Sequence, residues 1–161
     1  MIKLCVVFLV IFPFLALAKD GSNCDHSKTE FHCVKYLKNY DGDTITFNIP
    51  NVHPLLGHKI SVRVNGVDTA ETKTKNPCEK AAGRTARKYV ANLLKHAKRV
   101  DLLNVQRGKY FRILADVIID GRNLKDLLLD QRLAYSYQGA TKPKIDWCQF
   151  GRSPATSTTE P

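Results

Sequence analysis

Apolar and polar residues alternate with a period of two over residues 33–40 and again over 44–49, which predicts two β-strands. Pro50, Asn51, Pro54 and Gly57 interrupt the alternation and predict a loop. A third strand is expected over 59–67. Ile60, Val62 and Val64 share one of its faces, so Arg63, with Ser61 and Asn65, points away from that apolar row. From Pro77 to residue 98 the period becomes helical. Ala82, Ala86, Tyr89, Val90, Leu93 and Ala97 fall on one arc, and Lys80, Arg84, Arg87, Lys88, Lys95 and Lys98 on the opposite one, ordinarily a solvated face. Strands resume over 100–105 and 111–119, Asp120-Gly121 marks a turn, and a second helix is expected over 123–132. Short strands with an amphipathic helix inserted after the third predict an α+β, mainly β, fold: a five-stranded OB-fold barrel with two or three packed helices.

The two ends read differently from the body. Met1-Ile2-Lys3 is a short positive segment, residues 4–15 are apolar apart from Pro13, and Ala16-Leu17-Ala18 has the small-x-small form of a signal-peptidase site. Residues 1–18 are therefore expected to be a signal peptide, residues 19–148 the folded domain, and residues 149–161 a disordered tail, rich in Ser, Thr and Pro from Gly151 onward. The apolar run is shorter than the roughly 20 residues of a bilayer span, so no membrane association is expected once the leader is gone. The expected location is secreted or periplasmic.

A chain of 161 residues has room for one core, and 25% charged residues alongside 43% hydrophobic ones exclude disorder of the body. The charge of +10 favours a polyanionic partner. Removing the leader removes Cys5 and leaves Cys24, Cys33, Cys78 and Cys148, an even set in an oxidising compartment, hence two disulfides. Without a Cys-x-x-Cys pair a zinc site is the weaker reading. Four cysteines allow three connectivities, and the sequence does not choose among them. Cys24 with Cys33 would close a short polar loop, and Cys78 with Cys148 would tie the C-terminal segment to the body.

Against the basic background, Asp43 in Asp41-Gly42-Asp43-Thr44 stands out, as do Asp68 and Glu71 in Val67-Asp68-Thr69-Ala70-Glu71-Thr72. Carboxylates at strand ends can converge on one hard cation, although Asp-Gly-Asp-Thr alone is more often an ordinary turn. Arg63 precedes Asp68 on the same strand, and Lys109-Tyr110-Phe111-Arg112 opens a later one. Two guanidinium forks, a cation and a carboxylate able to position water make up the set that attacks a phosphodiester.

In residue type, order and spacing these motifs resemble the staphylococcal nuclease (thermonuclease) family, over about residues 33–138. The resemblance implies an OB barrel and Ca²⁺-dependent hydrolysis of DNA and RNA, leaving 3′-phosphates. The expected partners are DNA and RNA, preferentially single-stranded, and a monomer is the default expectation. It makes Asp43, Asp68 and the Thr69 carbonyl the calcium ligands, Glu71 the residue that aligns or deprotonates water, and Arg63 and Arg112 the grip on the scissile phosphate. Lys109 and Tyr110 would contact the terminal phosphate, with Tyr135 and Tyr137 near the nucleotide. The chain departs from the family pattern at Ala70, where Pro is usual, and at Phe111, where Gly is usual. The alternative is a non-catalytic OB-fold module that holds single strands by phosphate contacts and tyrosine stacking. A disulfide-stapled interaction protein is a third reading. The acid cluster discriminates, since carboxylates at a phosphate site repel a nucleic acid unless a metal is present.

Overall fold

A computed structural model describes residues 23–108 and 112–151; the expected signal peptide and residues 152–161 of the expected tail lie outside the described residues. β1 (Lys35–Asn39) and β2 (Thr44–Asn48) form an antiparallel hairpin, and β2 continues antiparallel to β3 (Ile60–Val64), with Thr44 opposite Arg63. β3 runs parallel to β6 (Ile113–Ile119), which pairs antiparallel with β5 (Val100–Arg107). The resulting order is β1-β2-β3-β6-β5, with the short β7 (Arg122–Asn123) also on β6. A separate pair joins β4 (Val67–Thr69) to β8 (Ala134–Ser136) and sets Asp68 opposite Tyr135.

The expected α+β, mainly β, architecture is present, with one correction: the strand ladder is open rather than a closed five-stranded barrel. Residues 29–34, ahead of β1, bridge the gap to β5 through Val105 N to Thr29 O (2.8 Å), the reciprocal Phe31–Leu102 bonds (2.8 Å each) and Val34 N to Val100 O (2.9 Å). Cys33, disulfide-bonded to Cys24, stands at φ 55°, a left-handed conformation that breaks the strand expected from residue 33 and delays β1 to Lys35. The strand expected over 59–67 is likewise divided. Gly66 at φ 78° turns the chain between β3 and β4 and so redirects Asp68.

α2 (Pro77–His96) starts where Asn76 accepts from Cys78 N (2.9 Å) and Glu79 N (3.2 Å), with Pro77 in its first turn. Its Ala86, Val90 and Leu94 are buried against the sheet, while Tyr89 and Leu93 pack at the margin. α3 (Leu124–Asp130) buries Leu124 and Leu128. Ile45, Phe47, Val62, Leu102 and Val117 complete a core in which each fully buried side chain contributes roughly 1.5–3 kcal/mol. The loop expected around Pro54 contains a single helical turn, α1 (Pro54–Gly57), capped by His53. Among the described residues no helix is long and apolar enough to cross a membrane.

Candidate active site

The site is built on the turn into β2. Asp41 Oδ1 accepts from Asp43 N (3.1 Å) and Thr44 N (2.7 Å), closing the turn and directing Asp43 inward. Asn39 Nδ2 donates to Asp41 O (2.7 Å) and to Arg87 O (3.0 Å), so the turn is tied to α2. Gly42 permits this approach: a Cβ there would stand 2.8 Å from Thr69 Cγ2 and 2.9 Å from Ala86 Cβ.

Asp43 is 1% exposed. Its Oδ2 accepts from Thr69 N (2.7 Å) and Thr69 Oγ1 (3.2 Å), and its Oδ1 accepts from Arg63 Nη1 (2.7 Å). Arg63 leaves the apolar row of β3, as the alternation predicts. It faces acid rather than solvent, and its second nitrogen donates to Asp68 Oδ1. Asp68 Oδ2 accepts from the Tyr135 hydroxyl (2.5 Å) and from Lys142 Nζ (2.9 Å), which also lies 3.5 Å from Glu71 Oε1. Side-chain exposure is 12% for Arg63 and 3% for Asp68, against 46% for Glu71. Counting Asp41 of the turn, the centre thus holds three buried carboxylates and one water-accessible carboxylate.

Positive charge is in short supply there. Burial pushes the Asp43 carboxyl up to about 7, helped by the charge of Asp41 and opposed by Arg63 and the Thr69 N–H. Burial also raises Asp68, but the hydrogen bonds from Tyr135 and Lys142 and the charges of Lys142 and Arg63 outweigh it and hold that carboxyl below its usual range. Tyr135 is pushed up by burial and by its bond to Asp68. Among the described residues no group of three or more His, Cys, Asp or Glu side chains is arranged to hold a metal ion. What is present is a pair of buried carboxylates, Asp43 and Asp68, bonded by Arg63, Tyr135 and Lys142, with Glu71 at the solvent side; carboxylate oxygen is the donor type that a hard cation such as Ca²⁺ takes.

Arg63 also lines a cleft of about 540 Å³ with Arg112 and Tyr137. The Tyr137 hydroxyl donates to Ala140 O (2.6 Å), and its ring stands 6.3 Å from that of Tyr135. The structure therefore gathers Asp43, Arg63, Asp68, Thr69 and Tyr135 by direct bonds, brings Glu71 beside them through Lys142, and sets Arg112 and Tyr137 on the adjoining cleft. Lys109, Tyr110 and Phe111 lie outside the described residues.

Two contributors escape a reading of the motifs. Asn39 is buried and braces the turn, accepting in addition from the Tyr36 hydroxyl (2.7 Å). Lys142 sits in the irregular segment after β8, with no periodicity to mark it. The Cys78–Cys148 disulfide, one of the two bonds present with Cys24–Cys33, fastens that segment to the start of α2. Trp147 and Phe150 pack at 6.1 and 6.5 Å from the Tyr135 ring and hold it there. Ala70 is buried, and its carbonyl and that of Glu71 press on Gly83 of α2.

Endonuclease YncB of Bacillus subtilis (strain 168) is 36% identical to this chain over 128 residues, 73% of this chain and 56% of that protein. The SPbeta prophage-derived endonuclease YokF of the same organism is 35% identical over 113 residues, 63% of this chain and 34% of that protein. The chain therefore spans about half the length of the first and a third of the second. A family model described as Staphylococcal nuclease homologue matches residues 61–149, which include Arg63, Asp68, Thr69, Glu71, Arg112 and both tyrosines, with Asp43 ahead of the match. That match covers more than half of the chain, and with the acids and the arginine of the motif gathered at one centre, the chain belongs to the staphylococcal nuclease family.

Proposed function

We propose that the protein is a nuclease that hydrolyses phosphodiester bonds of DNA and RNA, with Ca²⁺ held by Asp43, Asp68 and the Thr69 carbonyl, and leaves 3′-phosphates. The observation that carries this reading is one guanidinium, Arg63, shared between two buried carboxylates at the rim of a cleft that also bears Arg112. A binding surface alone has no use for buried acids beside its phosphate contacts. The names of the two Bacillus relatives, both endonucleases, support the same reading.

Bound Ca²⁺ supplies positive charge against the phosphate and its transition state. The rest falls to the chain. With Asp43 and Asp68 holding Ca²⁺, the Arg63 fork would be available to phosphate oxygens, and Arg112, on the same cleft, would offer a second fork. Glu71, at the solvent edge, orients or deprotonates the attacking water. Tyr137 and Tyr135 border the nucleotide, and Lys109 and Tyr110 contact its terminal phosphate. A cleft of about 540 Å³ suits an unstacked nucleotide of a single strand better than a duplex. The leader-like residues 1–18 and the two disulfides support a secreted or periplasmic location for a monomeric domain spanning 19–148.

The test is cleavage of single-stranded DNA by the purified, oxidised protein with Ca²⁺ and with a chelator, reading the product ends. Calcium-dependent cutting to 3′-phosphates is expected. Salt-sensitive binding without cutting would replace the nuclease with the binding module.

A further inference from the structure

A second groove opens beside the acid centre, lined by Lys38, Tyr40, Thr72, Lys73, Arg84 and Arg87, with a volume of about 350 Å³. It shares no lining residue with the cleft of Arg63 and Arg112, and no carboxylate lines it. Its walls continue both loops of the centre: Tyr40 directly precedes Asp41-Gly42-Asp43, and Thr72-Lys73 directly follow Glu71. α2 provides the remaining wall, fixed against β1 by the bond from Asn39 Nδ2 to Arg87 O (3.0 Å).

Lys38, Lys73, Arg84 and Arg87 are exposed, and among the described residues none of them forms an ion pair. Four uncompensated cations around one concavity repel one another and are relieved by a bound polyanion. Tyr40 is 45% exposed and presents its ring inside this group, with Lys73 Nζ 5.3 Å from its centroid. An open aromatic ring among cations is what a flexible single strand uses, with bases on the ring and phosphates on the charges. A helical face that periodicity alone assigns to solvent is thus joined, at Arg84 and Arg87, to a stacking platform next to the centre.

Resting on the nuclease reading above, we propose that this groove is a second nucleic-acid subsite. It takes the single strand flanking the scissile phosphate, with a base on Tyr40 and successive phosphates on Lys73, Arg84 and Arg87. A strand long enough to cross from cleft to groove then binds more tightly than one that fills the cleft alone.

The experiment measures binding of fluorescent oligothymidylates in chelator, one of about three nucleotides and one of about twelve, a span typical of such surfaces. Wild-type affinity should rise with length. Tyr40→Ala should weaken the long strand about tenfold, and Tyr40→Phe should restore it. The double variant Arg84→Ala/Arg87→Ala should make the plot of log K against log salt shallower by about 1.4, from about 0.7 per phosphate contact of a single strand. All three residues are exposed, and thermal unfolding checks that the variants fold. Folded variants that bind the long strand as wild type does overturn the proposal. Cutting of the same strand by wild type with Ca²⁺ is scored in parallel. Cutting without the length effect removes only the groove, whereas the length effect without cutting removes the nuclease reading and leaves the groove as a binding surface.

Discussion

The guanidinium of Arg63 lies between Asp43 and Asp68, whereas Arg112 is exposed and in no ion pair among the described residues. Under the proposed mechanism each is a transition-state donor, so Arg112→Ala should lower turnover by about 10²–10³ with an unchanged Tm. Arg63→Ala should lower turnover at least as far and also destabilise by about 3–5 kcal/mol, because it leaves buried Asp43 without its cation and Asp68 with Lys142 alone. Turnover and thermal unfolding of the two variants distinguish the cases; equal Tm values would show that Arg63 is not structural. Asp43 adds a pH dependence. Its folded value is raised, so its contribution to stability is fully present below the unfolded value near 3.8 and is lost as pH rises through about 7. Asp68 has the opposite sign: its contribution is present above its unfolded value and lost as pH falls through its lower folded value, well outside that window. In chelator, this group should therefore make Tm fall from about pH 5 to about pH 7 and level off above it, and Asp43→Asn should flatten that slope. An unchanged slope in the variant would mean that burial does not govern Asp43. Residue type and spacing made the acids and Arg63 legible in the sequence. The bonds from Tyr135 and Lys142 to Asp68 were not, because they span 67 and 74 positions of chain and leave no local pattern.

At the level of elements, α2 and the loop after β4 set the position of Glu71. A Cβ at Gly83 would stand 2.7 Å from Ala70 O and 2.8 Å from Glu71 O, so the helix reaches the loop only through glycine. In an open helix interior Gly→Ala stabilises by about 1 kcal/mol. Gly83→Ala should do the reverse, destabilising by about 1–3 kcal/mol as the loop is pushed away and reducing turnover about tenfold or more through the displaced carboxylate. A more stable, fully active variant would show that the loop yields without moving Glu71. The elements with a clear period, β2, β6, α2 and α3, lie close to where the alternation puts them. The pattern fails where the backbone turns left-handed, at Cys33 and Gly66, since φ is not encoded in hydrophobic period. It fails also at β4 and β8, three residues each, which exist because they pair with one another. The α1 turn is missed for a related reason: Pro54 reads equally well as a loop or as the first residue of a helix.

Across the whole molecule the disulfides divide the work unequally. Cys24–Cys33 closes 9 positions and Cys78–Cys148 closes 70. In the chain-entropy account these restrain the unfolded chain by about 2.5 and about 4 kcal/mol respectively. The longer bridge also fastens the segment that brings Lys142 to Asp68 and stacks Trp147 and Phe150 beside Tyr135. Its removal should therefore act at the site, while removal of the shorter bridge, which lies at the gap between β5 and β1, should act on stability alone. Cys78→Ser/Cys148→Ser is expected to lose about 4 kcal/mol in denaturant and to change the Ca²⁺ concentration needed for half-maximal thermal shift, because Asp68 exchanges a tethered ammonium for water. Cys24→Ser/Cys33→Ser is expected to lose less and to leave that concentration where it was. If the two double variants moved together in both measurements, the C-terminal segment would be a passive cover, and the contact of Lys142 with Asp68 would carry no weight in cation binding.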